Sequence, residues 1–394
     1  PCTPSATSPS ELSGSPPRFF QGFYMSQINA LMSRRAVLSL AAASAASVLL
    51  PGCSGSGDEP ALSGETQNRL QQALDRNRAL FNFPGAQAGV WTPSGSWVGV
   101  SGVSSPGGNR PPARDDHARI GSITKTFTVM LLLQLVDQKL VSLEDPIGTY
   151  IPGLPNGDTA TLRMLASMTS GIPSYTFDAV FLDAYFSNPR AVFTPQQLVN
   201  FVKGKDPEFP AGTRVSYSNT NTVALGMLIE LRTGKPFAQV LKENILVPLG
   251  LTQTLSPGPS NALPTPNLRG VTLQAYPADT IKDATDWNPS WGFSAGDMIS
   301  TLDDLRRWAV ALGTGEGLVS PEMQKQRMAS MTSTVPPNSP ARAYALGFGV
   351  SDGWIGHTGE LPGFNTSIQF DPRTRTTVVV MVNSDIAGVN AAGM

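Results

Sequence analysis

Arg119-Ile120-Gly121-Ser122-Ile123-Thr124-Lys125-Thr126-Phe127-Thr128-Val129-Met130-Leu131-Leu132-Leu133-Gln134-Leu135 is the most telling stretch of this chain. From Ser122 to about Lys139 it predicts the longest clean helix in the sequence. Val129-Met130-Leu131-Leu132-Leu133 is apolar almost all round, so the helix belongs in the interior. Ser122 and Lys125 stand three apart at its start and share a face. The helix N-terminus favours negative charge on Ser122 and the neutral form of Lys125, and burial pushes the lysine the same way. A neutral lysine can take the serine proton and make a nucleophile of it. Taken alone, S-x-x-K equally describes a capping serine and a solvated lysine.

Working outward, Ser63 is a possible N-cap with Glu65 in the first turn. Leu70, Ala73, Leu74, Leu80 and Phe81 follow on one helical face, and Pro84-Gly85 ends that helix. Ala86–Thr92 and Ser96–Gly102 read as strands joined by a turn at Pro93-Ser94-Gly95. A loop over 105–117 leads to Arg119. Downstream, short helical patterns at 161–168, 195–203, 221–232 and 236–246 are broken by Pro and Gly. Tyr344–Val350, Trp354–His357, Asn365–Asp371 and Thr376–Asn383 read as strands. Val378-Val379-Val380-Met381-Val382 has the continuous apolar character of a central strand. The fold class is therefore α/β (α+β), with one sheet built from both chain ends, flanking helices and a helical insertion over about 150–290.

Composition narrows the chemistry. The chain has 394 residues, with 28 Lys+Arg against 29 Asp+Glu, which leaves no electrostatic case for nucleic acid. Two Cys and two His allow no disulfide framework. A Cys/His zinc site would need all four, at spacings that fit no known pattern. The sequence thus points to no metal and no cofactor. Cys2 and Cys53 both precede residue 60, so the body of the chain has no thiol to act as nucleophile.

Residues 1–31 are rich in Pro and Ser and predict no fold. Ser33-Arg34-Arg35, the apolar run Ala36–Leu50 and Pro51-Gly52-Cys53 then describe a secretory signal peptide. The run is short and Ala/Ser-rich for a transmembrane helix. Cys53 after Gly52 resembles a bacterial lipoprotein cleavage box, and Ser33–Leu38 resembles a twin-arginine export signal. The expected organisation is an upstream segment and signal peptide over 1–52, a tether over 53–60, and one domain over 61–394. The expected location is the bacterial cell envelope, with a lipid anchor on Cys53 reaching the membrane.

Two further motifs carry chemistry. Tyr217-Ser218-Asn219 offers a phenol and an amide two residues apart, just before a helical pattern. His357-Thr358-Gly359 follows a strand, and Gly359 would let a substrate backbone approach closely. A competing nucleophile is Ser294 in Gly292-Phe293-Ser294-Ala295-Gly296, which matches the G-x-S-x-G elbow. The elbow needs a strand before it, and Asp286-Trp287-Asn288-Pro289-Ser290 argues against one. The glycine loop Gly313–Gly317 reads as a plain turn. His117, beside Asp115 and Asp116, reads as a solvated loop residue.

The order S-x-x-K, Y-x-N, H-T-G at Ser122, Tyr217 and His357 resembles the penicillin-recognising serine hydrolases. The closest likeness is to the branch holding D-alanyl-D-alanine carboxypeptidases, class C β-lactamases and related esterases. The likeness runs over about 65–383 and includes Thr169-Ser170-Gly171, Tyr217-Ser218-Asn219-Thr220-Asn221 and Ser294-Ala295-Gly296. It implies an antiparallel sheet of the β-lactamase/DD-peptidase kind. It further implies Ser122 as the acylated nucleophile, Lys125 as its proton partner and Tyr217 as proton relay to the leaving group. Asn219, His357, Thr358 and Gly359 would hold the substrate, and the N–H groups of Ser122 and Glu360 would form the oxyanion hole.

The implied activity is an exported serine hydrolase acting on an amide or ester bond of a small molecule or peptide. The alternatives are a β-lactamase and a catalytically silent envelope lipoprotein; the oligomeric state stays open. Three departures bear on substrate. Met168 stands where many relatives have histidine. Tyr344–Val350 contains no arginine to hold a terminal carboxylate, although Arg342 lies just upstream. Glu360 would repel such a carboxylate. Uncharged leaving groups are therefore expected to suit the site better than D-Ala-D-Ala peptides. Relatives end in a helix packed on the sheet, so a chain stopping at Met394 is expected to be cut short.

Overall fold

The structure, a computed structural model, describes residues 60–274, 280–331 and 334–385. The expected signal segment, the tether with Cys53 and the residues after Asp385 lie outside the described residues. Among those described, no helix is long and apolar enough to cross a membrane.

The first helix, α1 (Gly64–Leu80), starts where expected, with the Ser63 hydroxyl accepting from the Thr66 N–H. Leu70, Ala73 and Leu74 are buried on its inner face. Leu80, assigned to that face by its spacing, is instead 67% exposed at the last residue of the helix. Strands β1 (Gly85–Thr92) and β2 (Gly95–Gly102) form the expected hairpin. A short β3 (Ala118–Arg119) brings the chain to a single 3-10 turn, Gly121–Ile123, and then to α2 (Thr124–Asp137).

The middle of the chain is mainly helical. It holds α3 (Leu162–Ala166), α4 (Ala179–Ser187), α5 (Pro195–Asn200), α6 (Asn219–Thr233), α7 (Phe237–Leu241) and α8 (Val247–Leu249). Two short strands, β4 (Val271–Thr272) and β5 (Lys282–Asp283), pair with each other, and β6 (Ile299–Ser300) pairs with β3. Helices α9 (Leu302–Thr314) and α10 (Pro321–Ala329) return the chain to the sheet.

The last strands are β7 (Arg342–Tyr344), β8 (Gly349–Ser351), β9 (Trp354–Leu361), β10 (Phe364–Asp371) and β11 (Thr376–Val382). The main sheet runs β2-β1-β11-β10-β9-β8-β7, antiparallel throughout, so both chain ends meet at β1 and β11. The strand expected over Tyr344–Val350 is two strands. Between them the Ala345 N–H donates to the Phe348 carbonyl, and Ala345, Leu346 and Phe348 turn into the core. Gly347 makes that turn at φ +76, with Val129 of α2 pressed against its Cα. The strand expected to stop at His357 continues to Leu361, because Thr358, Gly359 and Glu360 pair with Ser367, Thr366 and Asn365.

Strand β11 is buried on both faces. Val378 and Val382 join α1 on one side, while Val379 and Met381 face the large core on the other. This is why its sequence reads as an unbroken apolar run. The large core holds α2, whose residues from Thr124 to Leu135 are all buried. Phe127 stacks on Trp308 of α9 at 3.7 Å between ring centroids. Phe127→Ala should therefore cost about 3–5 kcal/mol in urea unfolding. Leu80→Ser at the exposed end of α1 should change stability by no more than about 0.5 kcal/mol.

Candidate active site

Two glycines bring a strand backbone against the turn that carries Ser122. Gly121 has φ +50, and a Cβ there would lie 2.6 Å from the Glu360 nitrogen. A Cβ on Gly359 would lie 1.8 Å from the Ile120 oxygen and 3.0 Å from the Ser122 nitrogen. No side chain fits at either place, so β9 touches the turn directly. The backbone nitrogens of Ser122 and Glu360 are thereby brought close together, the arrangement an oxyanion hole needs.

Ser122 is half-buried in that turn, and Lys125 below it is wholly buried. The Lys125 amine lies 2.8 Å from Ser122 Oγ and donates to the Ala295 carbonyl at 2.6 Å. Burial holds its pKa well below the usual lysine range. A neutral amine so placed can accept a hydroxyl proton. The Tyr217 ring stands 4.9 Å from the same nitrogen. Its buried hydroxyl faces Ser122 without reaching hydrogen-bond geometry, and burial pushes its pKa up.

Tyr217 and Asn219 are held from below. The Met168 sulfur, at a residue with φ +61, lies 3.5 Å from the Ser218 N–H and from the Asn221 amide. A weak sulfur acceptor thus serves where relatives were expected to carry histidine. Ser170 Oγ donates to Asn221 Oδ1 at 2.7 Å. Asn219 starts α6, and its side chain donates to Thr176 Oγ1 at 3.0 Å.

His357 is buried and neutral. Its Nδ1 meets the Thr358 carbonyl and its Nε2 lies 3.0 Å from the Tyr344 hydroxyl. Burial above all lowers its pKa to about 3. Thr358 and Glu360 are half-buried on the same strand. The Glu360 carboxyl accepts from Gln274 at 3.2 Å, and burial together with Asp385 raises its pKa to about 8. A raised pKa lessens the repulsion expected from it near neutral pH. Arg342 is exposed on edge strand β7, and Arg119 Nη2 is engaged by the carbonyls of Asn261, Thr285 and Trp287.

The competing reading of Ser294 fails. Ser294 is fully buried in a 3-10 turn, Phe293–Ala295, with no strand before it, and its Oγ donates to the Thr222 carbonyl at 2.8 Å. The same turn nevertheless serves the site through its backbone, since Ala295 and Ser294 carbonyls receive Lys125 and Thr128. His117, expected in solvent, is buried between the Pro266 carbonyl and Gln253. Sequence reading missed the Ala295 carbonyl, Thr176 and Tyr344. A backbone carbonyl leaves no signal in residue types, and Tyr344 read only as the start of a strand.

Residues 70–393 match the Beta-lactamase family. The chain belongs to that family. Among curated members, it is 26% identical over 266 residues to the putative penicillin-binding protein PbpX of Bacillus subtilis, covering 67% of this chain and 61% of that one. The chain thus spans about three fifths of that relative's length. It is 28% identical over 302 residues to the D-alanyl-D-alanine-carboxypeptidase/endopeptidase AmpH of Escherichia coli, covering 71% of this chain and 74% of that one.

Among solved Beta-lactamase-like folds, a D-stereospecific amidohydrolase from Streptomyces superposes with a TM-score of 0.73 at 32% identity, over 81% of this chain and 94% of its own. A D-amino acid amidase from Ochrobactrum anthropi superposes at 0.69 and 26% identity, over 81% and 91%. Membership of this family of serine hydrolases accounts for the sheet built from both chain ends.

Gly359→Ala should drive β9 off the Ser122 turn. Fluorophosphonate labelling should slow by about 10²–10³-fold, the scale of losing an oxyanion donor. Circular dichroism should still show a folded protein.

Proposed function

We propose that this protein is a serine hydrolase that cleaves amide or ester bonds with uncharged leaving groups through an acyl-Ser122 intermediate. The observation that carries this reading is the wholly buried, charge-depleted Lys125 amine 2.8 Å from the Ser122 hydroxyl. Lys125 takes the Ser122 proton as Oγ attacks the substrate carbonyl. The carbonyl oxygen becomes an oxyanion between the N–H groups of Ser122 and Glu360. As the tetrahedral adduct collapses, the C–N or C–O bond breaks and the Lys125 proton passes by way of Tyr217 to the leaving atom. Water then attacks the acyl-serine and returns the enzyme to its starting state. Asn219 binds the substrate carbonyl group, and Thr358 lines the strand beside it.

Support for an uncharged leaving group is chemical. A terminal carboxylate is best met by a forked arginine. Arg342 faces solvent, Arg119 is engaged behind the turn, and His357 carries no charge. The names of the Streptomyces and Ochrobactrum neighbours, an amidohydrolase and an amidase, point the same way. A carboxypeptidase reading is favoured instead by the AmpH relative, and the two make different demands on substrate.

Ser122→Ala should abolish turnover and the fluorophosphonate adduct, while Ser294→Ala, if folded, should keep the adduct on Ser122. The base must be unprotonated and its pKa is depressed, so kcat/KM should be retained at neutral pH and fall as pH drops through the lysine pKa. Primary amides or short esters should exceed acyl-D-Ala-D-Ala peptides in kcat/KM after correction for intrinsic reactivity. Efficient peptide turnover would return the protein to the carboxypeptidases.

Export with a lipid on Cys53 remains part of this proposal. Cys53→Ala should move the protein from the membrane fraction to the soluble one, and an unchanged membrane fraction would remove the anchor.

A further inference from the structure

Tyr344 is a half-buried phenol outside the three motifs, and its hydroxyl lies 3.0 Å from His357 Nε2. The other ring nitrogen, Nδ1, faces the Thr358 carbonyl. A carbonyl only accepts, so Nδ1 must carry a hydrogen. In a neutral ring Nε2 then holds the lone pair, and Tyr344 must be the donor.

Burial of the ring favours that neutral state, against the pull of the Thr358 carbonyl toward the protonated form. The Lys125 amine of α2 faces the ring and carries a charge only after it has taken the Ser122 proton, the Tyr217 ring packs 6.2 Å away between centroids, Ile368 of β10 lies across the register, and the Arg327 guanidinium acts on Tyr344. Tyr344 also packs edge-on against His357 at 5.7 Å and Tyr217 at 6.2 Å. One phenol therefore touches both the imidazole and the proposed proton relay.

We propose that Tyr344 is a positioning residue that locks His357 as a neutral, Nδ1-protonated imidazole, and that this lock is what makes the site reject leaving groups carrying a carboxylate. The inference deepens the proposed hydrolase reading and rests on it for the substrate part. With both nitrogens occupied by protein, the ring offers an incoming carboxylate neither a charge nor a free N–H. Without the Tyr344 hydroxyl, Nε2 is left without its donor and becomes the natural place for a proton. The imidazolium so formed would face the substrate as a cation.

The chain has two histidines, so ring nitrogen spectra of the labelled full-length protein contain two spin systems, and His117→Gln assigns them. The wild type should show His357 as the neutral Nδ1–H tautomer from pH 8 to pH 5. Tyr344→Phe keeps the ring packing and removes only the donor. In that variant the His357 titration should move upward from its wild-type position. At pH 6 its kcat/KM ratio, D-Ala-D-Ala peptide over primary amide, should rise about tenfold, the scale of one hydrogen bond to a charged group.

Fluorophosphonate labelling of Ser122 in the same variant should persist. Loss of labelling in the wild type would sink the hydrolase reading while leaving the tautomer result intact. A wild-type His357 that carries its hydrogen on Nε2, or that titrates near the ordinary histidine value, would overturn the lock even if Tyr344→Phe failed to fold. So would a folded Tyr344→Phe whose tautomer, titration and substrate ratio all match the wild type.

Discussion

Burying an ammonium group is costly unless it is paired, and the usual outcome is that the group gives up its proton. Lys125 is in that position. It sits at the floor of the site with the Ser122 hydroxyl and the Ala295 carbonyl as its polar contacts, and burial alone accounts for its lowered pKa. Much of the architecture serves this one placement. Helix α2 must be buried along its whole first half to carry the lysine inside. The Phe293–Ala295 turn must present a carbonyl from below, and β9 must close the site from above.

The second constraint is steric. Ser122 and Glu360 lie far apart in sequence, and their N–H groups converge only because Gly121 and Gly359 have no Cβ. Continuing β9 past His357 to Leu361 is part of the same device, since pairing with β10 fixes the height of Gly359 and Glu360 over the turn. An irregular loop at that point would leave the two donors mobile, and preorganised donors are what make an oxyanion hole effective.

The polar groups around the serine illustrate how environment overrides residue type. A histidine that could have been a cation is neutral because it is buried between a phenol, a carbonyl and a lysine. A glutamate that could have been an anion holds its proton to about pH 8 because it is desolvated beside Asp385. Both shifts move the site toward low charge, which agrees with an uncharged leaving group.

Much of this protein was legible in its residues alone. Period-two and period-3.6 patterns depend on neighbours in sequence, so α1, the β1–β2 hairpin, α2 and the apolar β11 could be read locally. The triplets around Ser122, Tyr217 and His357 stood out because their side chains carry distinct chemistry, and the structure brings Ser122, Lys125, Tyr217 and His357 together. Tertiary structure alone decided the rest. Tyr344–Val350 broke into two strands because Leu346 and Phe348 gained more by entering the core than by extending the sheet edge. Ser294 became a buried structural hydroxyl because no strand precedes it and the Thr222 carbonyl accepts its hydrogen bond. The charge states of Lys125, His357 and Glu360 depend on burial, and burial is set by segments far apart along the chain. The Ala295 carbonyl and the Tyr344 hydroxyl reach their partners only across such distances, which no local pattern encodes.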